Sequence, residues 1–130
     1  MADMEARLER AGCCAAVLEG RALYGTVHFT VQCATQSWQT ACGWASQQIV
    51  GKVFSETLKG AETNRRKTAE LERALELGNR YVGGMVHYSS TGAPYLHVLS
   101  VTPVTTGEHN GQRPPQVGLF LVRSAVRTLG

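Results

Sequence analysis

Over residues 26–33 apolar and polar side chains alternate without a break, with Val27, Phe29, Val31 and Cys33 on one side and Thr26, His28, Thr30 and Gln32 on the other. A period of two sends successive side chains to opposite faces, so this segment reads as a half-buried strand. The apolar run 13–18 precedes it, followed by the turn-like Glu19-Gly20-Arg21, and the whole of 13–34 is expected to form a β-hairpin. Upstream, residues 2–11 set Met4 and Leu8 on one side of a short helix among charged neighbours, and Gly12 suits its exit.

Beyond the hairpin the period changes. Trp38, Cys42, Ala45, Ile49, Val53 and Leu58 recur at three-to-five-residue spacing, which predicts a helix over 36–59 with Thr35 or Ser37 as cap. Its internal Gly43 and Gly51 each cost about 1 kcal/mol relative to alanine, so packing must compensate, and they admit close approach of another backbone. A second, more polar helix is expected over 63–77, with Leu71, Leu75 and Leu77 apolar, Glu62/Arg66 and Arg66/Glu70 at ion-pair spacing, and Gly78 as stop.

The C-terminal third returns to strands at 81–88 and 95–104, joined through Ser89-Ser-Thr-Gly-Ala-Pro94. Residues 105–115 carry turn formers and no spaced apolar pair, so they read as a loop. A last strand is expected over 116–123, with 124–129 either a short helix or its continuation. The order α-β-β-α-α-β-β-β argues for an α+β fold, a mostly antiparallel sheet of about five strands with one or two helices packed on a face. This order resembles the roadblock, longin and profilin-like group of small α+β scaffolds, which implies a subunit, adaptor or binding platform and transfers no residues.

The length of 130 residues suits a single domain over 1–130, and 43% hydrophobic against 18% charged residues excludes a disordered chain. No apolar run reaches the roughly 18 to 20 residues of a membrane helix, and the N-terminus is charged where an export signal is apolar. An intracellular, cytoplasmic protein with reduced Cys13, Cys14, Cys33 and Cys42 is therefore expected. The net charge of +3 is modest. Its excess lies in the C-terminal part, where Arg80, Arg113, Arg123 and Arg127, with Tyr95, form the candidate nucleic-acid contact.

No catalytic, cofactor or metal motif is complete. Asp3 is the sole aspartate, the nine glutamates sit mainly on helix faces, and phosphate-binding and serine-nucleophile signatures are absent. His87 and His97 fall on the two arms of the second hairpin and could face each other. They lack a third ligand at zinc spacing, and read as solvent-face histidines. Cys42 and Cys33 share stripes with apolar residues and read as core.

The function expected is therefore a non-enzymatic protein-interaction or assembly subunit, adaptor-like, docking onto another protein or onto itself as a homodimer. It would dock through an exposed strand edge, the 105–115 loop or the helix of Trp38 and Trp44, with interface candidates Trp44, Trp38 and Phe54. Trp44 stands out because it lies about 120° around the helix from Trp38 and does not naturally share one buried stripe with it. The alternatives are a nucleic-acid-associated protein using the basic C-terminal part and a small enzyme whose site is not visible.

Overall fold

The computed structural model describes residues 2–104 and 118–129. Helix α1 (Ala2–Arg10) leads into strands β1 (Ala15–Leu23) and β2 (Thr26–Ala34). Three short helices follow, α2 (Gln36–Cys42), α3 (Ser46–Ile49) and α4 (Phe54–Leu58), then α5 (Arg65–Leu77) and strands β3 (Tyr81–Tyr88), β4 (Pro94–Val104) and β5 (Leu119–Thr128). The strands make one antiparallel sheet in the order β2-β1-β5-β4-β3. The α+β class, the five strands and the element types thus follow the sequence pattern.

Three details differ from the sequence reading, and a fourth decides between its alternatives. The helix expected over 36–59 is broken into three, because Gly43 (φ 75°) ends α2 and Gly51 (φ 86°) turns the chain after α3. Glycine enters the left-handed region without the Cβ clash that penalises other residues. The first hairpin turns at Tyr24-Gly25, whose φ values of 52° and 80° suit a two-residue loop with both central residues left-handed. Glu19, Gly20 and Arg21 instead lie inside β1, opposite Thr30, Phe29 and His28. Of the two expectations for 124–129, continuation of the strand holds: β5 runs unbroken over Leu119–Thr128, since the period of two persists through Val122, Ser124 and Val126 on one side and Arg123, Ala125 and Arg127 on the other.

The last difference is a bulge. Val17 pairs with Cys33 but Leu18 with Val31, leaving Gln32 as the extra residue. Past it the side chains exchange faces: Val31 and Ala34 join the main core, whereas Cys33 lies outside that cluster. Glu5 and Glu9 of α1 raise the Cys33 thiol, after the larger effect of burial, which places α1 beside this end of the sheet. Glu9 also accepts the Gln36 backbone N–H at 2.8 Å.

The main core lies between the other face of the sheet and α2–α5, and contains Leu18, Phe29, Val31, Trp38, Ile49, Phe54, Leu58, Leu71, Leu75, Phe120 and Val122. The Phe29 and Phe120 rings meet edge to face at 5.7 Å. Thr35 ties this layer down. Its Oγ1 accepts the Trp38 N–H at the start of α2 and the Ala15 N–H from β1, and donates to the Cys13 carbonyl at 2.7 Å. Asn64 caps α5 by accepting the Lys67 N–H at 3.0 Å.

Candidate functional site

On the helix-covered face, alternation along β3 and β4 turns Met85, His87, Tyr95, His97, Leu99 and Val101 inward together. His87 and His97 are consequently 1% and 0% exposed. The expectation that they face each other holds, whereas the expectation of a solvent face does not. Their side-chain parity is that of the core residues on either side.

Their Nδ1 atoms are 2.8 Å apart. His97 Nε2 lies 2.7 Å from Ser124 Oγ on β5, and Ser124 Oγ accepts the Trp38 indole N–H at 3.2 Å. The chain of polar atoms therefore runs from β3 through β4 and β5 to α2. Phe54 of α4 covers it, with ring centroids 6.2 Å from His87 and 6.3 Å from His97, and Tyr95 stands 5.6 Å from His97. Burial pushes both imidazoles well below their ordinary pKa, and His87 further disfavours charge on His97. Burial raises the neighbouring Tyr95 hydroxyl and pushes the Cys42 thiol up to about 12. Neither suits a nucleophile or base at neutral pH. Ser124 was missed in the sequence; its signal is a lone hydroxyl between Val122 and Val126 at inward positions.

The other candidates are dispersed. Trp38 and Phe54 are 0% and 1% exposed, so neither forms a surface. Trp44 is half-buried against the core, and its indole donates to the Tyr88 carbonyl at 2.9 Å. The break at Gly43 takes Trp44 off the helix on which an outward direction had been projected, and turns it toward β3. Tyr95 is 6% exposed and cannot stack on a base. Arg80, Arg123 and Arg127 are exposed, while Arg113 lies outside the described residues. Among the described residues no group of three or more metal-ligating side chains comes together. A cleft of about 210 Å³ opens beside Phe54, lined by His28, Glu56 and the hydrogen-bonded pair Ser55 and Glu72, 2.6 Å apart.

The opposite face of the sheet carries an apolar field. In adjacent register, Val82, Ser100 and Arg123 form one row, Gly84, Val98 and Ala125 the next, and Val86, Leu96 and Arg127 the third. Val82 is 75% exposed, and Leu96, Val98 and Val86 are partly exposed.

No family model matches the chain. Over 86 residues it is 27% identical to phototropin-2 of Oryza sativa subsp. japonica, an alignment that takes in 66% of this chain but 9% of that protein. Among solved structures it resembles the Rhodobacter sphaeroides LOV protein, with a TM-score of 0.76 at 21% identity over 96% of this chain and 65% of that one. A TM-score of 0.76 also relates it to the PAS domain of the fruit-fly ELK potassium channel, at 17% identity over 95% of this chain and 94% of that one. A light-oxygen-voltage domain studied with a flavin analogue gives 0.75 at 18% identity, over 97% and 85% of the two chains. At these identities the likeness establishes the fold: the chain has the architecture of PAS and LOV domains.

Proposed function

We propose that this chain is a non-enzymatic sensory-signalling module of the PAS and LOV type, which acts by docking the outer face of its sheet onto another protein, with a second copy of itself as the partner argued here. The observation that carries this reading is the three-row field around Val98, apolar at its centre and edged by Arg123 and Arg127. Contiguous exposed apolar surface of this kind marks interaction sites. A second copy suits it because Glu5 and Glu9 of α1 lie at the β1–β2 end and the arginines on β5. A two-fold contact can thereby set opposite charges against each other.

A flavin is not part of this reading. Trp38, Phe54, Tyr95, His87 and His97 are in ring-to-ring contact on the inner face, and the two histidines are hydrogen-bonded to each other.

Light scattering over a concentration series tests the reading, with filter binding of a single-stranded oligonucleotide as the second arm. A mass that rises to that of a dimer, without oligonucleotide retention, supports it. A monomer at every concentration that retains the oligonucleotide through Arg80, Arg123 and Arg127 overturns it in favour of nucleic-acid association.

A further inference from the structure

The direction of the buried chain follows from its donors. An indole N–H can only donate, so Ser124 Oγ accepts from Trp38; His97 Nε2 is its other partner among the described residues, and the assignment that satisfies the Ser124 hydrogen has it donate there. His97 then carries its hydrogen on Nδ1 and donates to His87 Nδ1, leaving the hydrogen of His87 on Nε2. Each imidazole lone pair in the chain is thus already accepting a bond. A proton added at His87 Nδ1 would set two N–H groups against each other across 2.8 Å. A proton added at His97 Nε2 would force the Ser124 hydroxyl to turn away. Either uptake breaks a link.

We propose that the His87–His97 pair is a proton-operated latch: in its neutral form it ties α2 to the sheet through Ser124 and Trp38, and on taking up a proton it releases α2. This inference stands apart from the docking role of the opposite face. The groups facing the pair are Trp38 and Cys42 of α2, Phe54 of α4, Tyr95 of β4 and Ser124 of β5. Cys42 and Tyr95 are the two of these that titrate, and both stay neutral in acid because burial raises them. Arg123 and Arg127 alternate with Ser124 onto the other face. Glu56 of α4 is exposed, and Glu72 of α5 is engaged by Ser55. With no carboxylate against it among the described residues, a buried imidazolium is stabilised by water, which it reaches when the helix lifts.

Amide hydrogen exchange across the chain, at about pH 7 and about pH 5 and corrected for the intrinsic rate, tests the latch. For one histidine lowered from 6.5 to about 4, the opening of α2 should grow about twentyfold between these pH values. β1 and β5 should retain their protection. The doubly substituted His87→Asn, His97→Asn chain, which keeps hydrogen-bonding groups but cannot charge, should show no such change. Equal responses in both proteins, no response in the wild type, or loss of protection in all elements together would overturn the proposal. If the variant does not fold, the imidazole resonances of the wild type decide. Titration in step with α2 exchange supports the latch, and titration at a separate pH overturns it.

Discussion

The Nδ1 atoms of His87 and His97 lie 2.8 Å apart across β3 and β4, with both rings inside the core. One hydrogen fits between them and two do not. The pair is therefore a neutral, hydrogen-bonded cross-strand contact, and its strength depends on pH in a definite direction.

Because the folded-state pKa is depressed below 6.5, the stability each histidine contributes is fully present above that value and is lost as pH falls toward about 4. For His87 alone the loss between pH 7 and pH 5 amounts to about 2 kcal/mol. Urea denaturation at the two pH values measures it, and a doubly asparagine-substituted chain should lose less. Equal stability of the wild type at both would refute the assignment.

Gly43 and Gly51 both have positive φ, yet they should respond differently to alanine. A Cβ on Gly43 would sit 2.5 Å from Ser89 Cβ, in the β3–β4 turn whose Ser90 N–H donates to the Gly43 carbonyl. At Gly51 no atom lies within 4 Å. Gly51→Ala should cost about 1 kcal/mol from the left-handed backbone alone, and Gly43→Ala about 2 to 4 kcal/mol. Thermal or denaturant unfolding of the pair checks the order.

Trp38 fills the core and donates to Ser124, and the two contributions are separable. Trp38→Ala should cost about 3 to 5 kcal/mol from the cavity. Trp38→Phe retains most of the ring and should cost about 1 to 3 kcal/mol, for the lost donor and part of the volume. If the phenylalanine variant matches wild type, the indole N–H contributes nothing to the chain.

Much of the fold was written in periodicity. The strands β2, β3 and β4, the cap Thr35 and the stop at Gly78 all lie where the pattern put them. What escaped depends on contacts distant in sequence. The bulge at Gln32 moves Cys33 off the face of Val31, and only the register with β1 determines it. Gly43 reads equally well as a tolerated helix residue until the β3–β4 turn is known to pack on it. A strand histidine is compatible with either face, so burial of His87 required its partner, and Ser124 became visible once β5 lay beside β4. Trp44 was assigned outward by extending a helix that ends at Gly43. The basic, aromatic pattern of the C-terminal part likewise separated, with Tyr95 inward and Arg123 and Arg127 outward.

The central claim is that docking uses the outer sheet face and not the tryptophans. Sedimentation equilibrium of Val98→Lys and Trp44→Ala side by side tests it most directly, with circular dichroism to verify folding and exposed Ala125→Lys as a second outer-face variant. Val98→Lys should remain folded and weaken self-association at least about tenfold, by placing charge at the centre of an apolar contact. Trp44→Ala should keep the wild-type mass and lose about 2 to 4 kcal/mol of stability, since its ring packs on the core and its N–H on Tyr88. A Trp44→Ala chain that is stable but monomeric, beside lysine variants that still associate, would contradict the account.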